Sequence, residues 1–180
     1  MREISLHILD IVQNSISAGA DLVTVTITEN AETNIFSVVI KDNGKGMDEE
    51  FLKNVTDPFT TSRTTRKVGL GIPLFKLAAE NTGGSFKIES APGKGTTLTA
   101  DFVLDSIDRQ PLGDIAGTML GLFTSYESID FLYVHEIDGK VFEADTREFK
   151  KVLNGISFSE LSVYTWLNDY LSEGENSLIG

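Results

Sequence analysis

The first part of the chain switches between helical and extended spacing of its apolar residues. Leu6, Leu9 and Ile16 recur at the spacing of one helix face, which predicts an N-terminal helix. The next two apolar runs, one alternating with hydroxyl residues and one more uniformly apolar, flank the polar segment NAETN, a pattern typical of a β-hairpin. The predicted elements are a helix over 3–18 and strands over 22–29 and 35–42.

Two more helices and a second hairpin follow. Asp48 is a suitable N-cap for a short helix, and Gly83 and Gly84 predict the end of a longer one. The predicted elements are helices over 49–55 and 72–82, a long loop over 56–71, and strands over 85–90 and 96–104. This order predicts an α+β fold, a two-layer α/β sandwich with its helices on one face of a mostly antiparallel sheet.

The pattern changes after the second hairpin. A linker leads to an apolar helix, a hairpin that turns at Asp138 and Gly139, a helix with Thr146 as a possible N-cap, and an amphipathic last helix. Residues 1–105 carry 10 basic and 14 acidic side chains, whereas residues 106–180 carry 5 and 13. We therefore predict a domain and a small C-terminal α/β accessory region that binds a partner. The elements predicted in this region are a linker over 105–114, helices over 115–126, 146–155 and 160–171, and a hairpin over 130–145.

Composition narrows the classes of function. The net charge of −12 repels phosphates, so we expect neither nucleic acid nor a membrane surface as a partner, and any phosphate site must be local. The absence of cysteine excludes disulfides, thiol catalysis and cysteine-ligated metals in this chain. No apolar run is long enough to span a membrane, and no secretory leader is visible. We therefore expect a cytoplasmic location.

Two polar groups stand out against this background. Asp42 ends the second apolar strand and is followed by Gly44 and Gly46, which suits either an ordinary turn or a loop beneath a planar ligand. Asp10 and Asn14 are four residues apart and lie on one helix face. This pair is either a solvated polar stripe or a site in which Asn14 binds Mg²⁺ and Asp10 orients or deprotonates a water or a hydroxyl.

A third group lies in and after the long loop. Residues 60–67 bring hydroxyl groups and three cations into an otherwise acidic protein. Gly69 and Gly71 follow immediately before a helix, where backbone N–H groups can approach phosphate. The segment PGKGTT is most simply a hairpin turn, and Thr97 in it could face a ligand.

In combination these segments resemble a known family. The N-terminal helix with the segments DNGKGM, DPFTTSR, VGLGIPL and GGSFKIESAPGKGTTLTADF is similar to the ATP-binding domain shared by sensor histidine kinases, anti-sigma-factor kinases, Hsp90, DNA gyrase and MutL. The resemblance covers about residues 1–105 and implies a Bergerat-type fold with ATP and Mg²⁺ as cofactors.

The resemblance also implies roles for single residues. Asn14 would hold Mg²⁺, Asp10 would lie near the γ-phosphate, and Asp42 would bind the adenine amino group. The other residues that the resemblance places against the nucleotide are Gly44, Gly46, Met47, Phe59, Thr61, Arg63, Lys67, Gly69, Leu70, Gly71 and Thr97.

Some positions depart from the family pattern. Asp10 stands where the ATP-hydrolysing members usually have glutamate, and Lys67 stands where glycine is common. The N-terminal helix is in the style of gyrase and MutL, whereas the stretch from VGLGI to ADF looks like a histidine kinase. We expect His7 to be a packed residue and His135 an ordinary strand residue, so no phosphoacceptor is visible.

Three functions remain open at this point. The chain could be a stand-alone protein kinase that phosphorylates another protein, an ATP-gated interaction module with little turnover, or a slow ATPase that serves an assembly process. In the accessory region, Tyr164, Trp166 and Tyr170 could be core residues or could mark a docking face. That region is expected to select a protein substrate or regulatory partner, or to form a homodimer.

Overall fold

The alternation of the two N-terminal strands is present in the computed structural model, which describes residues 2–57 and 70–180. Val23, Val25 and Ile27 of the first strand are fully buried. Alternate residues of the second strand, from Phe36 to Ile40, face the same side. Since side chains alternate across a strand, one face of this hairpin lies against the core.

The described residues form six helices and six strands. The helices are α1 (Ile4–Ser17), α2 (Glu49–Asn54), α3 (Gly71–Glu80), α4 (Ile115–Ser125), α5 (Thr146–Leu153) and α6 (Leu161–Ile179). The strands are β1 (Leu22–Asn30), β2 (Ile35–Asp42), β3 (Ser85–Ala91), β4 (Gly95–Val103), β5 (Asp130–Ile137) and β6 (Lys140–Asp145).

All six strands belong to one sheet, in the order β3-β4-β2-β1-β5-β6. Every neighbouring pair is antiparallel except β1 and β5, which run parallel with Leu22 opposite Asp130. The predicted α+β fold with a mostly antiparallel sheet is confirmed. The C-terminal hairpin of β5 and β6 extends this sheet, a pairing that the local sequence pattern did not predict.

The core next to the N-terminal helix is rich in aromatic side chains. Helix α1 buries a stripe that includes Ile4 and Ile8. Phe75 of α3 is fully buried, and its ring stacks on His7 at a centroid distance of 5.2 Å. Burial of a phenylalanine side chain such as that of Phe75 contributes about 1.5–3 kcal/mol to the stability of the fold. This packing fixes α1 and α3 against each other and against the sheet.

The boundaries of the last two helices differ from the predicted ones. Asp145, not Thr146, caps α5, because its side chain accepts a hydrogen bond from the backbone N–H of Arg147. The Thr146 hydroxyl instead accepts from the N–H of Phe131 at 2.9 Å. Helix α6 continues well beyond 171 to Ile179, and the buried Leu178 anchors its last turn.

The aromatic residues of α6 are partly exposed. Trp166 and Tyr170 both lie against Phe149 of α5, at ring centroid distances of 5.4 and 5.3 Å. Tyr164 and Trp166 are nevertheless 43% and 49% exposed. These residues therefore join the two C-terminal helices and also present apolar surface to solvent.

None of the helices in residues 2–57 and 70–180 combines the length and the apolar character that crossing a membrane requires.

Candidate functional site

Two adjoining cavities lie along helix α1 at the end of strand β2. The first has a volume of about 620 Å³ and is lined by α1, the ends of β2 and β4, and the segment that leads into α2. The second has a volume of about 560 Å³ and lies between α1, the start of α3 and Tyr126. Asn14 and Ser17 line both cavities, so a single elongated ligand can occupy the two together.

Asp42 is the buried carboxylate of the first cavity, and 8% of it is exposed. One carboxylate oxygen accepts a hydrogen bond from the Ser15 hydroxyl at 2.6 Å. The other accepts from the backbone N–H of Gly44 at 2.9 Å. Because a carboxylate can accept about four hydrogen bonds, both oxygens keep capacity for a donor on a ligand.

The surroundings of Asp42 are apolar on both sides of the cavity. Ile40 and Leu98 line it from the sheet, and Met47 and Phe51 line it from the segment around α2. An apolar slot with one fixed carboxylate suits a flat heterocycle that carries an amino group. The adenine contact that the resemblance implies for Asp42 stays a prediction.

The loop after Asp42 is held by backbone contacts that only glycine permits. A Cβ on Gly44 would lie 2.9 Å from the carbonyl oxygen of Ala18. Gly46 has a φ of 74°, and a Cβ there would overlap the carbonyl of Ala91. The two glycines therefore dock the loop against the end of α1 and against the β3–β4 turn, which places Asp42 at the cavity.

Thr97 is not part of either cavity wall, and the residue that lines the first cavity on β4 is Thr96. Side chains alternate along a strand, so Thr96 shares the helix-covered face with the buried Leu98, whereas Thr97 lies on the opposite face. The Thr96 hydroxyl is 2.9 Å from the Ser90 hydroxyl, which accepts from the N–H of Met47. The structure therefore places Thr96, and not the predicted Thr97, at the wall of the first cavity.

The second cavity contains the other polar pair. Asp10 and Asn14 lie on its α1 wall, and Leu70 and Gly71 lie opposite. A Cβ on Gly71 would be 3.3 Å from the Cβ of Asp10, so glycine allows α3 to begin close to this pair. The Asp10 carboxylate is 2.8 Å from the guanidinium of Arg2.

Asn14 has an unsatisfied amide. Its Nδ2 is buried and makes no hydrogen bond to any residue in the described part of the chain. A half-turn of the amide would bring its carbonyl oxygen, a hard ligand, to the same place. No group of three or more acidic or histidine side chains within residues 2–57 and 70–180 could hold a metal ion. With its amide turned in this way, Asn14 would supply one oxygen ligand to a Mg²⁺ whose other ligands are phosphate oxygens and water.

The structure thus brings together most of the predicted residues that it describes. Asp42, Gly46 and Met47 line the first cavity, Asp10, Leu70 and Gly71 line the second, and Asn14 lines both. Gly44 contacts Asp42 through its N–H. The predicted residues that lie outside the described part of the chain are Phe59, Thr61, Arg63, Lys67 and Gly69.

Ser15 is a site residue that the sequence analysis missed. It lies in the stripe of α1 that also buries Ile8, Ile11 and Val12, and it is 3% exposed. A hydroxyl on the mostly apolar buried face of a helix needs a buried partner, and that was the available signal. Thr96 was missed for a different reason. The sequence TT offers two neighbouring threonines, which differ only in the face of strand β4 on which each lies.

His7 contacts neither cavity. It is buried, and its Nε2 is 2.9 Å from the side-chain oxygen of Gln110. Burial lowers the pKa of His7, and the hydrogen bond to Gln110 opposes this effect. The packed position agrees with the expectation from the sequence.

Comparison with known proteins identifies the family of the N-terminal part of the chain. The model of the family described as "Histidine kinase-, DNA gyrase B-, and HSP90-like ATPase" matches residues 2–106. The resemblance drawn from the sequence motifs is confirmed by this match.

The similar proteins include two longer bacterial kinases or sensors. Sporulation kinase C of Bacillus subtilis is 33% identical over 100 residues, which cover 54% of this chain and 23% of that protein. Sensor protein SrrB of Staphylococcus aureus is 40% identical over 83 residues, which cover 43% of this chain and 14% of that protein. The matched region thus spans less than a quarter of either relative.

Two solved structures share the fold. The ATPase domain of Aquifex aeolicus MutL, complexed with ADP, superposes with a TM-score of 0.51 at 12% identity and covers 96% of this chain and 70% of that one. The N-terminal domain of a DNA repair protein superposes with a TM-score of 0.57 at 16% identity and covers 79% of this chain and 52% of that one. At these identities the likeness concerns the fold.

Proposed function

Because the chain belongs to the family of histidine kinase-, DNA gyrase B- and HSP90-like ATPases, whose domain binds ATP, we propose that it binds Mg²⁺-ATP in the two joined cavities. In the proposed reaction it transfers the γ-phosphoryl group to a serine, threonine or histidine of another protein. The reaction would take place in the cytoplasm, where ATP is available. We assign recognition of that protein to residues 106–180.

The observation that carries the proposal is the fixed carboxylate of Asp42. Ser15 and Gly44 each donate one hydrogen bond to it, so the group is oriented before a ligand arrives. In the proposed complex a carboxylate oxygen of Asp42 accepts a further hydrogen bond, which the exocyclic amino group of adenine donates. The apolar side chains of Ile40, Leu98 and Met47 enclose the ring.

The triphosphate extends from there along α1 into the second cavity. Asn14 would hold Mg²⁺, which neutralises part of the phosphate charge when it is bound. The backbone N–H groups at the start of α3, next to Gly71, add favourable potential for an anion. This orientation places the γ-phosphate near Asp10.

Asp10 is the proposed proton acceptor in the transfer. A serine or threonine hydroxyl, or a histidine imidazole, on the partner protein attacks the γ-phosphorus, the bond to the bridging oxygen of ADP breaks, and the proton of the attacking group passes to the Asp10 carboxylate. Positioning of the two reactants would supply most of the catalysis.

A second function, an ATP-gated interaction module with little turnover, is favoured by one contact. The guanidinium of Arg2 lies 2.8 Å from the Asp10 carboxylate, which occupies the group that would otherwise take the proton. In this alternative ATP binding changes the affinity for a partner protein and no phosphoryl group is transferred.

Calorimetry with Mg²⁺-ATP tests the nucleotide site. We expect the wild-type chain to bind ATP and Asp42→Ala to lose about 10- to 100-fold in affinity, since a charge-assisted hydrogen bond is removed. Asp108→Ala, which removes an exposed carboxylate of the segment after β4, is the matched control and should bind as the wild type does. Equal affinities for the three proteins would contradict the assignment of Asp42.

Transfer is tested separately with ATP labelled on the γ-phosphate and the proteins that co-purify with this chain. The kinase proposal predicts label on a partner with the wild type and none with Asp10→Asn, while both proteins bind ATP equally. Partner capture that depends on ATP, without any label, would support the gated module instead.

A further inference from the structure

One residue in the wall of the second cavity comes from outside the segment that the family model matches. That segment ends at residue 106, whereas Tyr126 follows α4 and lines the cavity together with Asp10, Asn14 and Gly71. Tyr126 is partly buried against the hydrophobic core. No hydrogen bond joins its hydroxyl to any other residue in the described ranges, so the group is available to a ligand.

The segment that carries Tyr126 is fastened to the helix that carries Asp10 and Asn14. At the N-terminus of α1, no side chain from residues 2–57 or 70–180 caps the helix. The N–H groups of Ile4 and Ser5 instead donate to the carbonyls of Pro111 and Leu112, both at 2.9 Å. The backbone around Tyr126 is also fixed, since its N–H donates to the carbonyl of Leu122 at 3.0 Å. The tyrosine is therefore held in a defined position relative to the polar pair.

Among the described residues, this cavity offers a terminal phosphate no unpaired cationic side chain. Its described acidic group, Asp10, repels an anion, and the nearby cation Arg2 is paired with that carboxylate. The neutral side chains of the wall that can donate are those of Gln13, Asn14, Ser17 and Tyr126. A phenol donates a hydrogen bond to a phosphate oxygen without adding charge.

We propose that the Tyr126 hydroxyl donates a hydrogen bond to the γ-phosphate of ATP and makes the site prefer ATP to ADP. The inference rests on the proposed function, which places adenine at Asp42 and the phosphates in the second cavity. It gives the segment after the family domain a direct part in nucleotide recognition.

Calorimetric titration of Tyr126→Phe with Mg²⁺-ATP and Mg²⁺-ADP tests the inference. The variant keeps the packed ring and loses only the hydroxyl, so the fold is retained. We expect the affinity for ATP to fall about tenfold and the affinity for ADP to change by less than about twofold. Tyr164→Phe removes the hydroxyl of an exposed tyrosine on α6 and should leave both affinities unchanged.

The proposed function and the role of Tyr126 fail in different ways. A wild-type chain that binds no adenine nucleotide would overturn both together. A wild type that binds ATP, with a Tyr126→Phe variant that binds ATP equally well, would overturn the role of Tyr126 alone. An equal loss for ATP and ADP would also overturn it, because the hydroxyl would then not contact the third phosphate.

Discussion

At the scale of single residues, Ser15 shows how the site prepares its carboxylate. Its hydroxyl donates to Asp42 at 2.6 Å from a position that is 3% exposed. We expect Ser15→Ala to lower the affinity for ATP about tenfold and the free energy of unfolding by about 1–2 kcal/mol, since a buried carboxylate oxygen loses its donor. Calorimetry and urea unfolding measure the two effects.

Ser5→Ala is the matched control for that substitution. Ser5 is also a buried serine of α1, so the two substitutions to alanine gain the same helix propensity. Ser5 is not among the residues that line the two cavities. A Ser15→Ala protein that binds ATP as Ser5→Ala does would show that the hydroxyl does not orient Asp42.

Single residues also show where sequence analysis reached its limit at the site. Asp42 could be predicted because a carboxylate at a strand end before two glycines is conspicuous. Thr96 could not be separated from Thr97, because the face of a strand depends on the register of β4 with β2, in which Asp42 is opposite Thr96. Ser15 becomes conspicuous only when its partner is known to be near.

At the scale of elements, two glycines within helices should respond to alanine in opposite directions. A Cβ on Gly121 of α4 would have no atom of the described residues within 4 Å, whereas a Cβ on Gly174 of α6 would overlap the ring of Phe142. We expect Gly121→Ala to raise the free energy of unfolding by about 0.5–1 kcal/mol. Gly174→Ala should lower it by about 1–3 kcal/mol, because the packed ring must move.

Urea unfolding of both variants checks this pair, and each is the control for the helix propensity of the other. Two stabilised variants would mean that the ring of Phe142 adapts at no cost.

The end of helix α6 likewise depends on packing and not only on the local sequence. Helical spacing located α6, but its last turns depend on Leu178 and on the space that Gly174 leaves, and these are properties of the packed molecule.

At the scale of the whole molecule, a buried cluster joins the C-terminal helix to the centre of the sheet. His135 of β5 lies between Glu29 of β1, at 2.8 Å, and Glu175 of α6, at 2.9 Å. Tyr133 donates to the same Glu175 at 2.6 Å. Burial by itself lowers the pKa of His135, but the hydrogen bonds and charges of Glu175 and Glu29 outweigh it and raise the pKa to about 9.

This shift predicts a pH dependence of stability. The protonated histidine is favoured in the folded state, so its contribution is complete below its ordinary pKa of about 6.5 and is lost as the pH rises through about 9. We expect the free energy of unfolding to fall by roughly 3 kcal/mol between these values. Urea unfolding at pH 6 and pH 9.5 measures it, and His135→Gln should remove most of the difference.

A wild type and a His135→Gln variant with the same dependence on pH would contradict this account. His135 lies in strand β5, as expected from the sequence, but its partners Glu29 and Glu175 come from distant segments and could not be predicted locally. The fold class could be predicted because local patterns define the strands. The place of the last hairpin could not be predicted, because the pairing of β5 with β1 depends on contacts across the complete sheet.

That parallel pair also has a consequence for how the protein is made. The edge of β1 that bonds to β5 stays open until Asp130 and the residues after it have been synthesised, which takes about 5–20 s after Leu22 at ordinary rates of translation. A sheet that closes through such distant contacts is expected to fold slowly. A nascent chain halted before β5 would carry an unprotected apolar strand, and it is at this stage that chaperones would be needed most.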